Sequence, residues 1–223
     1  MAQHISGFIR IGHFNGERDI LPSYHVDMDR HVMVTGGAVV PFKELLLEVT
    51  TPDFLSALHA HGFTHLHLQC NTFAGEMRKR LSEMDEKDLH SLKIDVVDFD
   101  KDLKENMLLL CRGEAGLKAA GVVIGHAGTG TIADACESEV ALVIVANPNL
   151  MDNHQAVFAA EVAEEYDNII QGHLGRVVET IPQVMGLIEQ LQLDNLEPFD
   201  EPDFPVDPKD RINFIDQVIA SGV

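Results

Sequence analysis

Six short strand-like runs, either apolar or alternating between apolar and polar residues and separated by segments of helical character, constrain the fold of this 223-residue chain more than any other feature. The runs lie at residues 31–37, 63–70, 92–99, 121–126, 140–147 and 168–172. Strands that alternate with helices along a chain form parallel sheets with helices on both faces. The sequence therefore predicts a Rossmann-like α/β fold. The run at 140–147 is the most apolar and is predicted to be a central strand.

The intervening segments are predicted to be helical, some of them with interruptions. The main helical segments are 41–62, 104–120, 131–137, 153–166 and 175–192. We expect the first to break near Pro52, because proline disfavours helical geometry at the residue before it. Breaks are also expected at Gly113 and Gly116 and around Pro182. Residues 71–90 are charged and contain several helix breakers, which indicates a surface loop or a short helix.

The chain is predicted to consist of one large domain and three accessory segments. The Rossmann-like domain spans residues 31–195, and an irregular extension precedes it at 1–30. An acidic, proline-rich linker follows at 196–208. The last segment, 209–223, is predicted to form an amphipathic helix whose apolar side docks on a partner or covers this chain's own sheet.

The composition excludes several classes of function. Acidic residues outnumber basic ones by 36 to 16, so the formal charge is −20, which argues against binding to nucleic acid or anionic lipid. A small anionic ligand is still compatible, because screening limits distant charges to about 8 Å at physiological salt. The three cysteines lack paired spacing, so neither a disulfide framework nor a zinc ribbon is predicted. We expect no secretory signal and no direct membrane span.

The stretch "VVIGHAGTGTIADA", residues 122–135, is the strongest indication of a ligand site. A buried-type strand ends at His126, and a loop with little side-chain bulk leads to a helix predicted to begin near Thr131. Ligands of open parallel sheets bind beyond the carboxyl ends of the strands, and helix amino termini bind anions. The backbone N–H groups from Gly128 to Thr131 are therefore predicted to approach a diphosphate.

A structural interpretation of the same loop stays open. Thr131 and Asp134 have the spacing of a capping arrangement, and the loop glycines would then only form a tight turn. Gly36 and Gly37 follow the first strand in a similar way. The dinucleotide and P-loop fingerprints and the serine-hydrolase elbow are all absent from the sequence.

A second polar segment, "NPNLMDNHQ" at 147–155, follows the central strand. Asn153, His154 and Gln155 bring neutral donors and acceptors to the start of a helix, which is what the hydroxyls of a sugar require. Capping again offers an alternative, because Asp152 could cap the helix and Gln155 could reach back to it.

The two motifs, in this order and spacing, resemble the small subunit of the eukaryotic UDP-N-acetylglucosamine transferase of dolichol-linked oligosaccharide synthesis. That family has an I-S-H-A-G-x-G-[ST] loop followed by N-x-x-L-M-D-N-H-Q. The stretches "VTGGAVVPFKELL" and "GFTHLHLQCN" also resemble its first strand–helix–strand unit, so the likeness covers roughly residues 31–171. The family is similar to the carboxyl-terminal, donor-binding half of GT-B glycosyltransferases, which the resemblance implies for this chain.

The resemblance implies a binding site for UDP-GlcNAc. In this site the loop would face the diphosphate, an acidic residue would bind the uridine ribose, and the second motif would contact the GlcNAc hydroxyls. His126 would lie beside the diphosphate and is the only residue considered for a catalytic contribution. The implied donor-binding residues are Gly36, Gly37, His126, Gly128, Thr129, Gly130, Thr131, Asp134, Asn153, His154 and Gln155.

This chain departs from the family pattern at three places. Gly125 stands where the family usually has serine, and Asp134 is shorter than the more common glutamate. Residues 137–146 lack the Gly-Lys-Pro that usually precedes this strand.

The reaction implied by the resemblance is transfer of GlcNAc from UDP-GlcNAc to GlcNAc-diphosphodolichol, the second step of lipid-linked oligosaccharide assembly for protein N-glycosylation. A membrane-anchored subunit would bind the acceptor in a heterodimer, at the cytosolic face of the endoplasmic reticulum. No cofactor is expected, because UDP-GlcNAc is a substrate. A non-catalytic subunit that binds a nucleotide sugar and regulates or scaffolds a partner remains the alternative.

The twelve histidines raise the question of a metal site. His59 and His61 flank a predicted helix end, and His65 and His67 share one face of a predicted strand. A structural zinc site needs about four convergent ligands, and no cysteine has useful spacing among these histidines. The sequence analysis therefore predicts no metal site.

Overall fold

The computed structural model describes residues 28–37, 40–148 and 154–197. Its six strands, all parallel, are β1 His31–Thr35, β2 His65–Gln69, β3 Lys93–Val97, β4 Val122–His126, β5 Ala141–Val145 and β6 Ile169–Gly172. The α-helices are α1 Lys43–Glu48, α2 Pro52–Ala60, α3 Ala74–Ser82, α4 Leu103–Cys111, α5 Thr129–Glu137, α6 His154–Glu165 and α7 Thr180–Leu191. The predicted Rossmann-like fold is confirmed.

The strand order across the sheet is β3-β2-β1-β4-β5-β6. The chain moves outward from β1 to β3, returns to β4 beside β1, and then moves outward in the other direction. In such sheets, ligands bind at the point where the direction reverses, beyond the carboxyl ends of the two central strands. The register pairs Thr35 with Gly125, so the residues that follow β1 lie beside His126, the last residue of β4.

Two hydrophobic layers cover the sheet. Side chains alternate between its faces, so Val32 and Val34 pack in the layer of α1, α2, α3 and α7, whereas Met33 packs in the layer of α4, α5 and α6. Strand β5 is buried along its whole length, as its apolar sequence predicts, but it lies beside the edge strand β6 and the centre of the sheet is formed by β1 and β4. Burial of a large apolar side chain stabilises a fold by about 1.5–3 kcal/mol. These layers therefore hold the carboxyl ends of β1 and β4 in a fixed arrangement.

Within the described residues, the α4–α6 side of the sheet is open at β2 and β3. Leu66 and Leu68 face the other layer, so His65 and His67 point to this open side. On β3, Lys93, Asp95 and Val97 share the same side and are exposed. The edge of this face is therefore polar.

Several predicted helix boundaries can be compared with the structure. The break near Pro52 is confirmed, because Thr51 is extended and its Oγ1 accepts a hydrogen bond from the N–H of Phe54 at 3.4 Å. The interruption at Pro182 is wrong, since Pro182 is the third residue of α7, where its missing N–H has no intrahelical acceptor to lose.

In the segment 104–120, which is predicted to be helical, helix α4 ends at Cys111. Gly113 then packs so closely on the backbone of Leu193 that no side chain would fit.

Residues 71–90 contain the short helix α3, which is one of the two predicted outcomes.

The predicted extension up to residue 27, the linker from residue 198 onward and the terminal helix at 209–223 lie outside the described residues. Among the helices of the described ranges, none has both the length and the apolar character needed to cross a membrane.

Candidate functional site

Polar residues lie at or just beyond the carboxyl ends of four strands. Thr35 and Gln69 end β1 and β2, His126 ends β4, and Asn147 follows β5. Thr35, Gln69 and Asn147 are buried, although polar side chains are usually exposed. The carboxyl edge of the sheet is therefore lined by hydrogen-bonding groups, and the crevice between β1 and β4 lies at its centre.

Helix α5 begins at this crevice with an open first turn. Its N-cap is Gly128, which has no side chain to cap the helix, and the N–H of Gly128 donates to the carbonyl of His126 at 2.7 Å. The N–H groups of Thr129, Gly130 and Thr131 have no acceptor among the described residues. Three adjacent donors and the positive end of the helix dipole are thus available to an anion.

This geometry corrects the predicted start of the helix. The helix begins at Thr129, two residues before the predicted position, so Thr129 and Gly130 belong to its first turn. The alternative in which Thr131 caps the helix together with Asp134 is wrong, because Thr131 is the third helical residue and cannot be an N-cap.

The imidazole of His126 lies between two glycines. A Cβ atom on Gly128 would lie 2.5 Å from its Nε2, and one on Gly37 would lie 3.8 Å from its Nδ1. Gly37 also has a φ of +89°, which other residues rarely adopt. The two glycines therefore leave room for the histidine ring at the mouth of the crevice.

His126 has an unused hydrogen-bonding atom. Its Nδ1 is buried and has no partner within the described part of the chain. Burial lowers the pKa of His126 below its usual 6.5, so the ring is neutral at pH 7. A buried polar nitrogen without a partner is costly, which favours a ligand group or water at this position.

Thr35 is a second residue of this kind, although neither sequence motif includes it. Its Oγ1 is buried without a partner among the described residues, and a Cβ on Gly125 would lie 2.6 Å from it. Any larger side chain at position 125 would crowd this hydroxyl, which accounts for the glycine. The signal in the sequence is a threonine that closes an otherwise apolar strand.

Gly36 has a structural role. Its N–H donates to the carbonyl of Gln69 at 2.9 Å, and its carbonyl accepts from the N–H of Phe42 at 2.7 Å. A Cβ on Gly36 would meet the same Gln69 carbonyl at 2.7 Å and a methyl of Leu46 at 2.8 Å. Close packing against the neighbouring strand and α1 thus accounts for this glycine without a ligand.

The remaining residues of the first motif lie further along α5. Gly130 is exposed, and a Cβ there would meet nothing within 4 Å. Asp134 is half-buried in the next turn of the helix. The open space around Gly130 lies beside the unpaired N–H groups of the first turn.

The second motif is described only in part. Asn153 and the side chain of His154 lie outside the described residues, and α6 begins at His154. Gln155 is half-buried, and its Oε1 accepts a hydrogen bond from the N–H of Asn147 at 3.0 Å. Gln155 thus ties the start of α6 to the end of β5, whereas Asp152, the predicted cap to which Gln155 would reach back, lies outside the described residues. Its contact with a sugar stays a prediction.

Known proteins share sequence and fold with this chain. The family model described as the glycosyltransferase family 28 C-terminal domain matches residues 31–195. The UDP-N-acetylglucosamine transferase subunit ALG13 of Saccharomyces cerevisiae is 30% identical over 191 residues, which cover 77% of this chain and 89% of that protein.

Two solved structures share the fold. The solution structure of ALG13 has a TM-score of 0.50 at 23% identity and covers 78% of this chain and 90% of its own. The crystal structure of MurG from Acinetobacter baumannii has a TM-score of 0.53 at 18% identity and covers 75% of this chain and 43% of its own. From the family match and the yeast relative, the chain belongs to the glycosyltransferase family 28 C-terminal domain family and to the ALG13 family.

Proposed function

We propose that this chain binds UDP-GlcNAc and forms the donor-binding half of a GlcNAc transferase. The observation that carries the proposal is the open first turn of α5, with three unpaired N–H groups beside the neutral imidazole of His126. The naming of the ALG13 relatives as UDP-N-acetylglucosamine transferase subunits supports the same choice of donor.

The diphosphate of the donor would lie on the first turn of α5. The N–H groups of Thr129, Gly130 and Thr131 point their positive ends at this position, and the helix dipole adds to them. Negative charge grows on the leaving UDP as the glycosidic bond breaks. Donors that are already oriented toward this charge stabilise the transition state more than the ground state.

His126 and Thr35 would complete the diphosphate site. The neutral imidazole can donate one hydrogen bond from Nδ1 to a phosphate oxygen or to a bound water. The hydroxyl of Thr35, one strand away, offers a second donor at the floor of the crevice. Binding would thus satisfy two buried atoms that have no partner among the described residues.

The remaining contacts follow from the resemblance. Asp134 would bind the uridine ribose, and Asn153, His154 and Gln155 would lie near the GlcNAc hydroxyls. For Gln155 the structure adds a constraint, because its Oε1 is held by the N–H of Asn147. Its amide N–H group would therefore face the sugar as a donor.

The acceptor would come from a second polypeptide. The relatives named as transferase subunits support a division of the enzyme between two chains. We propose a membrane-anchored partner that binds GlcNAc-diphosphodolichol at the cytosolic face of the endoplasmic reticulum. An acceptor hydroxyl would attack C1 of GlcNAc, its proton would pass to a base on the partner, and UDP would leave. The site would use no metal and no cofactor for this step.

Reconstitution tests this proposal. The chain would be purified alone and with its co-expressed membrane partner, and transfer would be measured with a short-chain lipid acceptor. We expect transfer by the complex and negligible transfer by the isolated chain. Robust transfer by the isolated chain would contradict the division into two halves. Donor binding without transfer by the complex would favour the regulatory or scaffold alternative.

A further inference from the structure

Three histidines lie side by side on the open face of the sheet, at the amino ends of β1 and β2. The parallel register pairs His31 with His65, and their rings stack with centroids 4.2 Å apart. The ring of His67 is also parallel to that of His31, at 5.2 Å. Two carboxylates, Asp29 and Asp95, lie at the rim of this histidine cluster, with side chains 59% and 66% exposed.

One ion-pair contact and one hydrogen bond of the cluster favour a particular placement of the ring protons. The carboxylate of Asp95 lies 3.3 Å from Nδ1 of His67, which favours a proton on this nitrogen. The Nε2 of His67 then accepts the 2.9 Å hydrogen bond that joins it to Nδ1 of His31. In this arrangement Nε2 of His31 has a free lone pair. Metal-binding histidines are commonly fixed in the same way by a partner on their other ring nitrogen.

We propose that Asp29, His31 and His65 bind one divalent transition-metal ion of the Zn²⁺ class. Each of the three offers one ligand atom, and these atoms lie within 4.8 Å of one another. Ligands at about 2.0–2.2 Å around a tetrahedral zinc ion lie roughly 3.4 Å apart, so modest side-chain rotation closes the site. Two imidazoles and one carboxylate suit Zn²⁺, and water completes the coordination.

His67 and Asp95 affect the metal site only through His31. His67 and Asp95 hold the tautomer of His31 and the orientation of its ring, so they are positioning residues. This arrangement also explains why the sequence predicts no site. The two histidine ligands come from different strands and are 34 positions apart, and only the parallel register brings them together.

This site is separate from the donor crevice. His31 begins β1 and Thr35 ends it, so the two sites lie about 13 Å apart along the strand at roughly 3.3 Å per residue. The metal ion would therefore take no part in the transfer chemistry.

Calorimetric titration of the untagged full chain with ZnCl₂ tests the proposal. We expect saturable binding in the micromolar range with one tight site per chain. Asp29→Asn and His65→Asn should each weaken this binding at least tenfold, and Asp95→Asn about tenfold through the lost orientation of His67 and His31. The matched control is His59→Asn, because His59 stacks on His90 away from the cluster and should leave the affinity unchanged.

Two further measurements guard against misfolding and nonspecific binding. Asp29 is exposed, so Asp29→Asn should fold with the thermal unfolding midpoint of the parent. Cobalt(II) should give a visible absorption band with the parent that is lost in His65→Asn. The proposal is overturned if the parent shows no saturable zinc binding, or if Asp29→Asn and His65→Asn bind zinc as the parent does. UDP-GlcNAc binding by these variants should be unchanged, so failure here leaves the donor site untouched.

Discussion

Replacing Gly128 with alanine would place a methyl carbon against the ring of His126. The new Cβ would lie 2.5 Å from Nε2 and 2.9 Å from Cε1. Ordinary contacts between such atoms are about 3.5 Å, so the ring must move by roughly 1 Å. The backbone of Gly128, at φ −104° and ψ 131°, is allowed for any residue. The strain of the substitution therefore falls on the imidazole.

The size of the effect on transfer follows from this displacement. A group misplaced by about 1 Å in an active site can lower the rate about 100-fold. We therefore expect kcat/KM for UDP-GlcNAc in the reconstituted complex to fall about 100-fold, which equals about 2.7 kcal/mol. The free energy of unfolding should change by less than about 1 kcal/mol, because the ring can move toward Gly37 and alanine stiffens the unfolded chain.

The assay compares transfer and thermal unfolding on the same preparations. The matched control is Gly186→Ala, because Gly186 is exposed on α7 and a Cβ there meets nothing within 4 Å. This control should keep the parental kcat/KM and gain slight stability. Parental activity in Gly128→Ala would refute the role of His126 at the donor. A loss of stability as large as the loss of activity would make the loop merely structural.

Three other predictions follow from the same crevice. Gly130→Ala should raise the thermal unfolding midpoint, because alanine favours the helix more than glycine does, and it should weaken UDP-GlcNAc binding. Unchanged affinity in a titration would show that the donor does not occupy the space beside Gly130. His126→Asn should flatten the pH dependence of the free energy of unfolding, measured with urea, below pH 6.5. Because the pKa of His126 is lowered in the folded chain, the unfolded chain binds the proton first as the pH decreases, and the folded state loses stability. An identical slope in the variant and the parent would contradict this. Gln155→Ala should cost about 1–3 kcal/mol of stability, because it removes the side-chain acceptor of the Asn147 N–H. Gln155→Glu should keep that acceptor and lose only discrimination for GlcNAc among UDP-sugars. Equal stability of the two variants would refute the bridging role.

The fold was predictable because its signals are local. Each strand is a short run of apolar or alternating apolar and polar residues, and the alternation with helices leaves few topologies for a chain of this kind. Pro182 shows the limit of the same reasoning. A proline ends a helix from within but is well accommodated in the first turn, and only the position of the helix start distinguishes the two cases.

The site was predictable in its elements but not in its geometry. His126 and the glycines could be proposed from their place after a strand, but the sequence does not reveal that Gly36 packs on β2 while Gly37 faces the imidazole. Thr35 was missed because a threonine within a strand is ordinary. Its importance arises from the register that places it beside Gly125.

The central claim is that the open first turn of α5 binds the diphosphate of UDP-GlcNAc. The most direct test is a titration of the isotope-labelled chain with UDP-GlcNAc, followed by the nuclear magnetic resonance of its backbone amides. We predict that the largest shifts occur at the amides of Thr129, Gly130 and Thr131, with smaller ones at Gly37, and that the amides at the amino ends of β1 and β2 do not move. Saturable binding whose largest shifts lie away from the first turn of α5, or no shifts at saturating donor, would contradict the account.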